Sequence, residues 1–228
     1  ILILTDTSAY IMQFVGPPFT FSIRQVGSNC GLIGQHAVKY VNGKVFWMGQ
    51  AGGFFVYDGT VKSLPCLVED FVFTSKGDNL GINYTAGEQV YAGLNHLYEE
   101  ITWFYAKNGQ EQVDRVVTYN YTENTWTTGS LARTSWADAT LYDNPYATEF
   151  EPTSVPTFPV VQGATNVNGA SVYYAHEVGN NEVDALGNKT AIPAFITSGD
   201  FDLSAGGDGQ FFMSIRRFIP DFKILTGD

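Results

Sequence analysis

AVKYVNGKVFWMGQAGGFFVYDGTVKSL, residues 37–64, alternates short runs of β-branched and aromatic residues with turn dipeptides. Asn42-Gly43 is a strong two-residue hairpin signal, because a type I′ turn needs positive φ at both central positions. Asp58-Gly59 is a second signal of the same kind, and Gly52-Gly53 marks a further break. Four strands of about five residues fit the stretch, each antiparallel to the next. The result is one small twisted sheet, the size of a propeller blade.

Working outward, the same kind of unit recurs. Upstream, Ile1 to Leu4, Ala9 to Phe14 and Phe19 to Val26 read as three strands, with Pro17-Pro18 directing the chain through a loop. Downstream, Pro65 ends strand pairing. Cys66 to Phe73 fits either a short helix or a strand, and Lys76 to Tyr84 reads as loop. Residues 88–131 form a second sheet candidate, with Asn108-Gly109 between its middle strands. Its segment from Tyr119 to Trp126 resembles the last hairpin of a kelch blade. Trp47 and Trp103 lie 56 positions apart, a spacing that suits a propeller repeat with loop insertions. A third unit covers residues 134–177, with Ser135 to Tyr142 and Ala170 to Glu177 as strands and the proline-rich 151–163 as extended loop. Residues 178–190 read as polar loop, and a last unit covers 194–228. No segment reads as a firm helix. The fold class expected is all-β and propeller-like, built of antiparallel four-stranded sheets, with a β-sandwich as the alternative. The four blade-like units, 37–64, 88–131, 134–177 and 194–228, belong to one domain over 1–228. The chain opens in apparent mid-strand without Met and is expected to be part of a longer protein.

Composition narrows the function. Hydrophobic residues are 44% and aromatics 15% of the chain, enough for a sizeable core, and 24 glycines supply tight turns. The net charge of −11 leaves no basic stripe for gripping nucleic acid. An acidic wall suits a DNA conduit, because attraction to phosphates slows transit. No run approaches the ~18 apolar residues of a membrane span. Cys30 and Cys66 read as free core thiols, with no spacing that asks for a disulfide.

His36, His96 and His176 lack any metal-ligand spacing and read as structural or surface side chains. Asp70 with Glu99 or Glu100 could supply a glycosidase carboxylate pair, but Glu99 and Glu100 are neighbours on a strand and point to opposite faces. Asp200, Asp202 and Asp208 stand near a glycine-rich turn without the spacing of a calcium loop. No cofactor, metal site or catalytic residue is expected. Trp47, Tyr57, Trp103, Tyr119 and Trp126 are core candidates. Arg133, Arg216 and Arg217 carry much of the scarce positive charge. Arg133 fits either an interface or a local salt bridge. Trp136 and Tyr142 could stack on sugar rings if the chain binds glycans.

An ordered series of short motifs carries a resemblance. It runs from Cys30-Gly31-Leu32-Ile33-Gly34 through Val45-Phe46-Trp47-Met48-Gly49 and the stretch from Gly53 to Gly59. It continues with Glu100 to Tyr105, Val117 to Tyr121, Trp126, Arg133-Thr134 with Trp136, Tyr174 to Gly179 and Arg217 to Asp221. In this order the series resembles the tail hub, nozzle or packaged-DNA stabilisation proteins of short-tailed bacteriophages. The resemblance implies a propeller body in a homo-oligomeric ring, six copies being common, below the portal. It implies portal, adaptor-ring and tail proteins as partners, DNA passing without specific binding, a place in the virion and no enzymatic activity. Two other readings stay open: a host-glycan binding or cleaving module, and a kelch-like interaction scaffold, against which stands the single double-glycine at Gly52-Gly53.

Overall fold

A computed structural model of the chain describes residues 1–139, 143–150, 171–179, 181–183 and 189–191. The described residues up to 177 form one compact unit, and those from 178 onward belong to a second. The second unit's described part is a short antiparallel hairpin, β15 (Asn181–Val183) with β16 (Lys189–Ala191).

The first unit is a succession of antiparallel sheets, each made from consecutive strands. β1 (Leu2–Leu4), β2 (Ser8–Gly16) and β3 (Thr20–Ser28) form the first. β4 (Val38–Val41), β5 (Lys44–Met48), β6 (Phe54–Tyr57) and β7 (Val61–Leu64) form the second, in that order across the sheet. The third holds β8 (Tyr91–Asn95), β9 (Glu100–Tyr105), β10 (Arg115–Asn120) and β11 (Thr125–Ser130). The fourth holds β12 (Ser135–Ala137), β13 (Tyr146–Phe150) and β14 (Ser171–Ala175).

The turns follow their sequences in part. Asn42 and Gly43 have φ of 50° and 79°, the positive pair that a type I′ turn needs. Asp58-Gly59 differs from expectation: Tyr57 pairs with Val61, so the loop has three residues, and only Gly59 has positive φ. The Asp58 carboxylate is engaged by Lys62 at 2.7 Å. Cys66 to Phe73 resolves as a helix, α1 (Glu69–Phe73), and Tyr84–Gln89 forms a 3-10 turn. Asn83 starts that turn by accepting from the Thr85 N–H at 3.0 Å, a local bond the chain offers in place of strand pairing. Residues 178–190, expected to be loop, contain the strands β15 and the start of β16.

The core lies between sheets, and strand alternation places it there. Along β5, Phe46 and Met48 face one way and Val45 and Trp47 the other, as period-two geometry requires. Phe46, Met48 and Phe54 pack with Leu94, Ile101, Trp103, Val117 and Tyr119 of the third sheet. Trp47 packs on the opposite face with Ala9 and Cys30, joined by Leu4, Phe55 and Tyr57. The second sheet is therefore covered on both faces. A two-layer sandwich would leave one face of each sheet to solvent. Both Cys30 and Cys66 are free thiols.

Candidate functional site

The seam between successive sheets is where the chain concentrates its aromatic and polar resources. All four tryptophans of the sequence donate their indole N–H to a main-chain carbonyl on an earlier stretch of chain. Trp47 of the second sheet reaches Cys30 O at 2.8 Å, just beyond the first sheet. Trp103 of the third sheet reaches Ala37 O at 3.0 Å, at the start of the second. Trp126 of the third sheet reaches Pro65 O at 2.9 Å, at the end of the second. Trp136 of the fourth sheet lies 3.5 Å from Leu94 O in the third. A buried indole needs such a partner, and each bond also fixes the position of one sheet against the one before it.

The rings around Trp103 and Trp126 form a continuous cluster. Phe54 meets Trp126 at 4.6 Å and Trp103 at 4.9 Å between centroids, and Tyr119 meets Trp126 at 4.6 Å. Tyr119 also donates its hydroxyl to Asn124 Oδ1 at 2.7 Å, tying the hairpin turn that follows it. Trp47 stacks on Phe55 at 5.7 Å. Trp47, Trp103 and Tyr119 are buried, Tyr57 and Trp126 half-buried. Burial pushes the Tyr105 hydroxyl up to about 12.

Glycines let the backbones approach. A Cβ on Gly31 would sit 1.8 Å from Asp6 O, and one on Gly93 would sit 2.7 Å from the Trp136 ring. Trp136 is thereby wedged onto β8, against Phe104 and His176.

Arg133 is buried within a local network. Its Nη1 donates to Glu149 Oε2 at 3.1 Å and to Ala132 O at 2.7 Å, and its Nε donates to His176 Nε2 at 3.1 Å. The guanidinium lies 3.7 Å above the Tyr174 ring, whose hydroxyl donates to the same Glu149 oxygen at 3.0 Å. Burial, and then the neighbouring Arg133, holds His176 down to about 4, so the imidazole is neutral and accepts. Arg133 therefore makes the local salt bridge that its place in the sequence allowed. The sequence does not announce this network, because Glu149 and His176 lie 16 and 43 residues from Arg133.

The carboxylates considered for hydrolysis do not form a pair in one strand. Glu99 sits in the turn before β9 with φ of 59°, Glu100 opens β9, and Asp70 lies on α1. Burial raises the Glu100 carboxyl, helped by the negative Glu177 and Glu123. Among the described residues no three His, Cys, Asp or Glu side chains come together as metal ligands. His36 and His96 are exposed. Tyr142, Asp200, Asp202, Asp208, Arg216, Arg217 and the unit 194–228 lie outside the described residues.

An open cleft of about 1020 Å³ lies where the first strands of three sheets meet, lined by Lys39, Glu88, Tyr91, Glu111 and Trp136 among others. Lys39, in its lining, pairs with Asp138 at 2.7 Å. His36 forms a parallel bridge with Tyr91, which brings the start of β4 beside β8. Among the described residues no helix is long and apolar enough to cross a membrane. Comparison with protein-family models and with curated proteins returns no match to this chain.

Proposed function

We infer that this chain is a structural virion protein of a tailed phage, a tail hub or nozzle component or a head-to-tail connector part. In this reading it joins the portal or adaptor ring and tail proteins, retains packaged DNA and forms part of the exit channel. The observation that carries the reading is the use made of the resembling motifs. Gly31, Trp47, Trp103, Trp126 and Trp136 fix sheet against sheet, and Arg133, Tyr174 and His176 tie the β12–β14 sheet together. A chain whose distinctive residues go into rigidity is suited to transmitting load between partners. The side-by-side first strands, joined by the His36–Tyr91 bridge, favour a propeller-like radial order of sheets in the whole protein. The net charge of −11 suits a wall that DNA slides past.

The test is to mix the purified chain with the portal ring encoded in the same genome and sediment the mixture. Co-sedimentation, with an added ring of density under the portal in electron micrographs, is the expected result. A chain that stays monomeric and never joins the ring refutes the assignment.

The cleft favours one second reading, a glycan-binding or glycan-cleaving module, since Tyr91 and Trp136 line it beside Glu88 and Glu111. Binding on a glycan array, abolished by Tyr91→Ala, would favour that reading over the first.

A further inference from the structure

His176 directly follows β14, and its main-chain N–H donates to Pro145 O at 2.9 Å. Its ring sits where the β12–β14 sheet meets the β8–β11 sheet. The imidazole centroid is 4.8 Å from the Trp136 ring, and Trp136 is 5.4 Å from Phe104 of β9. The same corner carries three further ties to β8. Arg133 O accepts from the Tyr91 hydroxyl at 2.9 Å, Asp138 Oδ1 accepts from Leu94 N at 2.8 Å, and Glu177 Oε1 accepts from Asn95 Nδ2 at 3.1 Å.

The geometry at His176 Nε2 tolerates one protonation state. That nitrogen accepts from Arg133 Nε at 3.1 Å, so it must carry its lone pair. A proton there would set donor against donor and cation against cation. The charged and titratable groups around the ring come from each element packed on it: Arg133 ahead of β12, Glu149 on β13, Tyr174 on β14, and Glu177 next to His176. Glu149 is committed to Arg133 and the Tyr174 hydroxyl, and Glu177 to Asn95. Neither carboxylate is hydrogen-bonded to the imidazole among the described residues. The neighbouring joint is of another kind. The cluster between the β4–β7 and β8–β11 sheets is made of apolar, phenolic and thiol side chains, none of which takes up a proton on mild acidification. The net charge of −11 shrinks as acid is added, so self-repulsion of the whole chain falls over the same range.

We propose that the corner is an acid-released clasp: a proton taken from solvent onto His176 Nε2 displaces Arg133 and Trp136 and frees the β12–β14 sheet from β8, while the β4–β7 and β8–β11 sheets stay joined. The closed form favours the neutral imidazole. Its hold is therefore complete above about pH 6.5 and is lost as the pH falls towards 4. The clasp does not rest on the virion assignment.

The test is hydrogen exchange of the full chain, read by mass spectrometry and corrected for the intrinsic effect of pH. Amides of β12–β14 are expected to exchange more than about tenfold faster at about pH 4 than at about pH 7, reversibly, with β5 and β6 unchanged. His176→Gln, whose amide oxygen accepts from Arg133 at either pH, abolishes the difference. Glu149→Gln keeps it. A β12–β14 sheet equally protected at both pH values overturns the proposal, as does exchange that rises together in all sheets. So does release that survives in His176→Gln or disappears in Glu149→Gln, which would place the sensor on a carboxylate. If His176→Gln does not fold, the wild-type imidazole resonance decides in its place. Its titration coincides with the loss of protection in this account, and either event without the other overturns it.

Discussion

The seam between the β4–β7 and β8–β11 sheets and the β2–β3 ribbon are both made of antiparallel strands rich in aromatic residues. In the seam, Phe54, Trp103 and Tyr119 are buried and their neighbours satisfied. In the ribbon, Phe14, Phe21 and Ile23 alternate just as regularly and remain in solvent. The difference is the number of covering layers. A sheet between two others buries both faces, whereas the far part of the ribbon has neither a third strand nor an opposing sheet among the described residues. Alternation sets which side chains share a face, and the neighbours decide whether that face is buried or exposed.

If this contrast is right, the two regions answer substitution differently. Trp103→Ala, in the seam, removes a fully buried ring and the bond to Ala37 O. It should cost about 3–5 kcal/mol, read by urea denaturation. A loss below about 1 kcal/mol would mean the sheets are not held by this cluster. Gly31→Ala places a methyl against the Asp6 backbone and should cost about 1–3 kcal/mol or more, because a main-chain atom cannot turn aside.

Arg133→Met leaves the Glu149 carboxylate and the face of the Tyr174 ring without their shared cation. Glu149 is partly solvated, so the expected loss is about 1–3 kcal/mol. The same network sets a pH dependence. His176 lies at about 4 in the folded chain against an ordinary value of 6.5, so folding favours its neutral form. Its stabilisation is complete above about pH 6.5 and is lost as the pH falls towards 4, where protonation opposes Arg133 and removes the acceptor. His176→Gln should flatten that part of the stability profile; an unchanged profile would assign the acid loss to other groups. The smallest effect belongs to the ribbon. Phe21→Ser should change folding stability by no more than about 0.5 kcal/mol, because the ring is half exposed. A larger loss would show that the Phe14–Phe21 pair is part of the core.

The two four-stranded sheets were legible in the sequence because their signals are local. Asn42-Gly43, Gly52-Gly53 and alternating aromatics define turns and faces within a few residues. α1 was ambiguous because five residues do not separate a period of 3.6 from a period of two. β13 follows Pro145, and β15 and β16 are polar strands of three residues, so little hydrophobic pattern announced them. The core tryptophans were visible as large apolar residues in strands. Their hydrogen bonds were not, because a main-chain carbonyl has no side-chain signature. Arg133 admitted two readings until His176 and Glu149, distant in sequence, came into contact with it.

The virion assignment has one most direct measurement: electron microscopy of the tailed particles encoded by the same genome, labelled with gold-conjugated antibody to this chain. The account predicts label confined to the tail vertex, at the junction with the head. Particles that carry no label, or label spread over the capsid faces, would contradict it.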